Sequence, residues 1–319
     1  MPSKPLRVGI IGPAGFGGSY LTVELLNRGN TVIGISRNPQ KIGSHPRYIP
    51  RPVDIDAVNI TQLAQKFEGL DVLISEYGPH TAGADALLYM PFLETVRKLI
   101  LSVKHSKVPY FIFVGGAGSL HVPGTLESCV DHPDFFIAYR RAIATSEAHI
   151  SYMEQRLGIL GTSLRTYRNA RLAQAAGTAT ASDIAAIADY EADIRKKDKA
   201  TDFIKAGRTA YMFFDGNASF RWSFVSPAAL YRPGKRTGEY RVSGEEAVLV
   251  GERKEGESLF EGRLTGINVA DLAVAIADEV EGERLVGRHW SAWGDISEDV
   301  PGKAYLTLEE VEGGKAPVV

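Results

Sequence analysis

Residues 6–18 read LRVGIIGPAGFGG: an apolar run, 6–11, that passes without a spacer into Gly12-Pro13-Ala14-Gly15-Phe16-Gly17-Gly18. The run is short, rich in β-branched residues and not strictly alternating, as expected of a parallel strand covered on both faces. Gly12, Gly15 and Gly18 stand in the spacing G-x-x-G-x-x-G, and residues 19–28 follow a helical pattern that stops at Gly29. Glycines in a strand-to-helix turn remove side chains and leave backbone N–H groups at the positive end of the helix. A pyrophosphate is the ligand such a turn accepts. Tight turns also collect glycine without any ligand; the strand before and helix after are what favour binding. Gly12, Ala14, Gly15, Phe16, Gly17 and Gly18 are the expected cradle.

Outward from this turn the alternation continues. Residues 31–36 (TVIGIS), 71–75 (DVLIS) and 110–114 (YFIFV) read as buried strands. Helical patterns lie between them at 61–67, ending at Gly69, and at 91–104. Strand–helix alternation with right-handed crossovers gives an α/β fold with a doubly wound parallel sheet. Residues 138–157 look helical, and 163–207 carry two further helical patterns, one of them with Ser182 as a cap. A strand at 221–225, a helix at 269–280 capped by Asn268 and a strand at 289–293 complete the pattern. The expected division is a dinucleotide-binding core at 1–157, a helical insertion at 158–219, the rest of the core with a substrate-binding portion at 220–293, and a surface extension at 294–319.

The end of the second strand bears on which dinucleotide binds. A free 2′-hydroxyl is usually met by an acidic residue there. This chain offers Ser36 and Arg37 instead, with Lys41 nearby. A guanidinium matches a 2′-phosphate through paired hydrogen bonds, which favours NADP(H) over NAD(H). The bland alternative is a solvated surface arginine. Asp54 is placed to reach the adenine amino group or to cap the next helix.

Composition sets outer limits. The 319 residues are 44% hydrophobic and 23% charged, ordinary for a soluble globular protein. Thirty-six basic against 38 acidic residues leave a net charge of −2, without the basic excess that nucleic-acid binding uses. The single cysteine, Cys129, cannot form an internal disulfide or a cysteine-based zinc site. No metal ligand spacing appears among the seven histidines. With no run approaching 18 apolar residues, the expectation is a cytoplasmic protein, monomer or homodimer, acting on a small molecule without nucleic-acid or membrane partners.

Together, VGIIGPAGFGG (8–18), VIGISRNPQK (32–41), FIFVGGAGSL (111–120), RWSFVSPAALYRPGKRTGEYRV (221–242) and INVADLAVAIADEV (267–280) resemble the short-chain dehydrogenase/reductase superfamily. They look most like its atypical branch of NmrA-like and biliverdin-reductase-B-like NAD(P)H-binding proteins. The resemblance covers roughly residues 6–157 and 220–293. It implies a Rossmann fold in which Glu76, Tyr77 and Gly78, then Gly115, Gly116 and Ser119, line the nicotinamide side, and Ser226, Pro227 and Ala228 contact the nicotinamide ribose and carboxamide. The superfamily's acid–base group is a tyrosine with a lysine four residues on, beside a serine. Ser119 fits the serine, and Tyr139 is a plausible tyrosine, but Ile143 stands where the lysine belongs. Tyr152 and Arg156 form a second Tyr-x-x-x-basic pair, later in the chain and with arginine in place of lysine.

Other readings stay open on the residues alone. Ser119 either donates to an acceptor or caps its turn, and Tyr139 is either a catalytic acid or a pocket-shaping side chain. His80 and His121 are surface or turn residues, or border the substrate. Phe214, in the cluster Tyr211-Met212-Phe213-Phe214, belongs to the core or to a hydrophobic substrate wall, which Tyr77, Tyr139 and Tyr231 would share. The insertion is a lid or a subunit contact. The expected activity is NADPH-dependent reduction of a hydrophobic conjugated or aromatic carbonyl, quinone-like or flavin-like acceptor, because such acceptors stabilise negative charge themselves. The alternatives are a non-catalytic NADP(H)-binding regulator and a non-redox isomerase, dehydratase or cyclase.

Overall fold

The opening run folds as β1 (Arg7–Ile11), and the glycine turn delivers the chain into α1 (Phe16–Asn27). The computed structural model describes residues 4–78, 88–196, 199–253 and 255–310. After α1 come β2 (Thr31–Ser36), β3 (Tyr48–Pro52), α2 (Ile60–Phe67), β4 (Val72–Ser75), α3 (Tyr89–Ser106) and β5 (Tyr110–Val114). Gly29 and Gly69 end their helices with φ of +89° and +74°, as their stop positions require. Five helices follow: α4 (Phe135–Thr145), α5 (Glu147–Leu157), α6 (Ile159–Ala175), α7 (Ala181–Arg195) and α8 (Lys199–Tyr211). The chain then returns through β6 (Trp222–Val225), β7 (Leu230–Arg232), β8 (Arg241–Ser243), β9 (Gly266–Asn268), α9 (Val269–Gly282) and β10 (Arg288–Trp293).

Among the described residues, eight strands form one sheet in the order β3-β2-β1-β4-β5-β6-β10-β8, and β7 pairs with β9 separately. All neighbours in the large sheet are parallel except β8, which lies antiparallel on β10. This is a doubly wound Rossmann fold. The strand order reverses between β1 and β4, so the crevice beyond their carboxyl ends is where a ligand is expected. Alternate strand residues feed two cores. Val8, Ile10 and Ile74 join α1, α9, α5 and α6 on one face, while Ile11, Ile33 and Leu73 join α2, α3 and α8 on the other.

Four expectations need correction. β3 went unread because Pro50 and Pro52 argue against a strand; it is an edge strand, where a missing N–H can face solvent. Residues 138–157 are two helices, broken at Ser146, whose backbone is extended and whose hydroxyl accepts the His149 N–H at 3.2 Å. Thr180, not Ser182, caps α7 through a reciprocal box with Asp183. Of the expected surface extension, residues 303–308 are packed against the core. Ala304, Leu306 and Leu308 are buried in the α1–α9 core, Tyr20 donates to the Lys303 carbonyl at 2.6 Å, and the Leu306 N–H donates to Ser19 Oγ at 3.1 Å.

Nor is 158–219 one unit. α6 and α7 pack on each other and on α4 and α5, whereas α8 crosses to the other face of the sheet and lies on α3 and the turn at 117–119. Among the described residues, no helix is long and apolar enough to cross a membrane.

Candidate functional site

At the carboxyl end of β1, Gly15 caps α1 with no side-chain hydrogen bond, leaving the helix's first N–H groups to a ligand. The turn is so tight that a Cβ on Gly18 would stand 2.0 Å from the Gly12 carbonyl oxygen. Gly17 is needed for a different reason: a Cβ there would stand 2.4 Å from Oε2 of Glu76. The glycine turn thus has a carboxyl group folded directly over it.

The residues expected on the adenosine side lie around the ends of β2 and β4. Arg37 is exposed at the end of β2, Ser36 is half-buried before it, and Lys41 is exposed on the 3₁₀ turn Pro39–Ile42. Tyr77 stacks on Phe92 at 5.9 Å and points its hydroxyl at Asp56, 3.5 Å away. Burial pushes its hydroxyl up to about 12, and Arg37 is close enough to oppose that shift. Tyr77 therefore belongs with Arg37 rather than with the aromatic cluster over the turn. Asp54 does not cap α2. Its Oδ1 accepts the Asp56 N–H at 3.1 Å, while Asn59 caps the helix by accepting the Gln62 N–H at 2.9 Å.

Over the turn itself, Phe16 packs against Tyr152 of α5 and Tyr231 of β7, with ring centroids 4.3 and 4.9 Å away. The Arg156 guanidinium, also on α5, donates to Tyr152 Oη at 2.7 Å. Burial pushes the Tyr152 hydroxyl up despite Arg156, so it stays a neutral phenol. Tyr139 of α4 is half-buried, stacks on Phe135, and lies within electrostatic reach of both Tyr152 and Arg156. Glu76 Oε1 and Tyr231 Oη are buried without a hydrogen-bond partner among the described residues. Burial raises the Glu76 carboxyl to about 7, with Arg156 pulling the other way.

The serine side is closed. Ser119 Oγ donates to the Gly116 carbonyl at 2.7 Å and lies 2.8 Å from Ser226 Oγ, which lies 2.9 Å from His289 Nε2. All three residues are buried, and burial pushes His289 down to about 3, so its imidazole is neutral. This chain ties the ends of β5 and β6 to β10, and it favours the turn-capping role for Ser119. Ser226 and Ala228 also donate their N–H groups to Trp290 and Ala292, so Ser226-Pro227-Ala228 runs alongside β10. Gly115 packs under Phe224, whereas no described residue apart from the chain neighbours stands within 4 Å of where a Cβ on Gly116 or Gly78 would lie.

Two of the residues expected against a substrate lie away from the glycine turn. Phe214 is fully buried among Phe111, Phe113 and Phe224, a core residue with no exposed face. His121 sits in bridges with Ser128 and Glu246, its Nδ1 4.0 Å from Glu245, beside His289 rather than over the turn. His80 lies outside the described residues. Tyr231 does reach the turn. Burial holds the Cys129 thiol up at about 12, where it is inert. Tyr152, with Arg156 bonded to it, reaches Phe16 of the turn, which the sequence reading did not expect. Their i, i+4 spacing was visible, but the break at Ser146 that aims α5 at Phe16 was not.

Comparison with known proteins agrees with the fold. Residues 12–157 match the family described as NAD(P)H-binding. The uncharacterized protein YwnB of Bacillus subtilis is 25% identical over 278 residues, covering 86% of this chain and 92% of YwnB. A candidate epimerase from Bacteroides thetaiotaomicron superposes with a TM-score of 0.59 at 23% identity, over 91% of this chain and 97% of that one. A candidate NADH-flavin reductase from Streptococcus pneumoniae does so with a TM-score of 0.56 at 18% identity, over 91% and 100%. The two structural likenesses are of fold. They and the NAD(P)H-binding match accord with the resemblance to the atypical short-chain dehydrogenase/reductase superfamily.

Proposed function

Because residues 12–157 form an NAD(P)H-binding domain on a Rossmann fold, we propose that the protein is an NADPH-dependent reductase of flat, conjugated acceptors of the quinone, flavin or aromatic-carbonyl class. The observation that carries this reading is the half-buried Arg156–Tyr152 hydrogen bond set over the glycine turn beside Phe16. The residues present fit a dinucleotide: uncapped N–H groups at α1, a turn stripped of Cβ atoms, and a basic rather than acidic end to β2. When bound, the reduced nicotinamide supplies a hydride.

The chain's own part is to orient and to hold a proton. Arg156 occupies the acceptor side of Tyr152 Oη, which leaves the phenol's O–H free to donate to an acceptor oxygen. The rings of Phe16, Tyr152 and Tyr231 give an apolar wall that excludes water from one side of the turn. Ser119, with its hydroxyl already engaged, fixes the β5 turn.

The test is titration with NADPH and NADH separately, followed by quenching of tryptophan fluorescence, in wild type and Arg37→Ala. NADPH affinity should fall about ten- to hundredfold in the variant, the value of a charge-assisted hydrogen bond, with NADH affinity unchanged. Failure of the wild type to bind either nucleotide overturns the reading. The closed Ser119 hydroxyl favours a second reading, an NADP(H)-binding regulator, which predicts tight binding with no NADPH consumed in the presence of a quinone or a flavin.

A further inference from the structure

The glycine turn and Glu76 do not fit an anion together unless the carboxyl is neutral. A dinucleotide brings its pyrophosphate to the N-terminus of α1, and Oε2 of Glu76 already stands against Gly17 in that first turn. Gly12, Gly15 and Gly18 suffice for the G-x-x-G-x-x-G spacing; the space left by Gly17 is filled by the Glu76 carboxyl. Its Oε1 is buried and unpartnered, so nothing among the described residues compensates a charge there by a hydrogen bond.

We propose that Glu76 is a proton-linked determinant of cofactor binding: the protein takes up one proton on this carboxyl as the dinucleotide enters the turn. This rests on the dinucleotide reading given above. The groups facing Glu76 support it. Among the described residues, Arg156 is the cation that acts on Glu76, and its hydrogen bond is directed at Tyr152. Tyr231 from β7 and Tyr152 from α5 are held as neutral phenols by burial, and Tyr20 of α1 lies within electrostatic reach of Tyr231. The free carboxyl titrates near neutrality, and an arriving diphosphate drives it further toward the neutral form, by the repulsion of like charges. Once protonated, its O–H becomes a donor, and the orphaned oxygen gains a partner in the ligand.

The sign follows from linkage. Below the carboxyl's free titration it is already protonated and affinity is independent of this group; above it, each pH unit weakens binding about tenfold. The experiment is calorimetric titration of the full chain with NADPH at about pH 8, in two buffers of different ionisation enthalpy, with Kd followed from about pH 6 to 9. Wild type should take up close to one proton at the alkaline end. Glu76→Gln, neutral at every pH, should bind as tightly at about pH 6, about tenfold more tightly at about pH 8, and lose this uptake. The 2′-phosphate titrates at about pH 6 in both proteins, so their difference isolates the carboxyl. Binding by wild type without proton uptake at about pH 8, or an unchanged pH slope in Glu76→Gln, overturns this inference and leaves the dinucleotide reading standing. Loss of all binding, to NADH as well, overturns both.

Discussion

Tyr152 and Arg156 show how much one contact decides. A phenol alone in an apolar pocket is a poor acid, and here burial wins over the neighbouring guanidinium, leaving the proton on the oxygen. Tyr152→Phe keeps the ring against Phe16 and deletes the hydroxyl, with both its proton and the oxygen that accepts from Arg156. It should lower the turnover of an acceptor by about 10²–10⁴-fold, the usual range for a positioned acid, with NADPH affinity unchanged. Steady-state kinetics beside a binding titration separates the two. An equal loss in binding would instead make Tyr152 part of the cradle. At this scale the glycine turn was legible, because its requirement is local: Gly18 must clear the Gly12 carbonyl a few residues away. The pairing of Gly17 with Glu76 was not, because it joins the ends of two strands that only the folded sheet makes neighbours.

Among the elements, periodicity and caps located most strands and helices around the sheet to within a few residues. β1, β2, β4 and β5 appear where apolar runs put them, and Asn268 caps α9 as its position before the helix suggests. Asn268 accepts the Asp271 N–H at 2.9 Å and donates to that carboxylate at 2.7 Å, while Asp271 also accepts from Thr237 and Gly238. Asn268→Ala should cost about 1–2 kcal/mol, read as a lower urea midpoint at unchanged slope. What was illegible has two physical causes. β3 contains prolines that only an edge position tolerates, and edge position is a property of the assembled sheet. The break between α4 and α5 leaves both halves helical in pattern; only the Ser146 side chain, turned back to His149, marks it.

For the whole molecule, the binding crevice is shared between distant parts of the chain. β1 and β4 floor it, α5 and β7 bring aromatic side chains to it, and residues 303–308 buttress the helix that opens it. Leu308 reaches as far as Gly43, just beyond the turn that carries Lys41. Removing residues 303–319 should therefore uncover Ile42, Tyr20 and the buried face of α1. The expected direction is a loss of stability, because Leu306 and Leu308 return to water with about 1.5–3 kcal/mol of burial each, set against the entropy regained by their segment. A thermal melt would show it as a Tm lower by several degrees, and a nucleotide titration as weaker binding. An unchanged melt would mean that the tail's burial contributes no net stability.

That buttress also sets an order of events during synthesis. The Ser19 hydroxyl waits for the N–H of Leu306, 287 positions further along the chain. At 5–20 residues per second, a ribosome needs about 15–60 s to cover that distance. During that interval the nascent chain can display its phosphate-binding turn on an unsupported helix. The turn gains its full support only after residues 303–308 have left the ribosome, and a translation pause before that point would leave it on an unbuttressed helix.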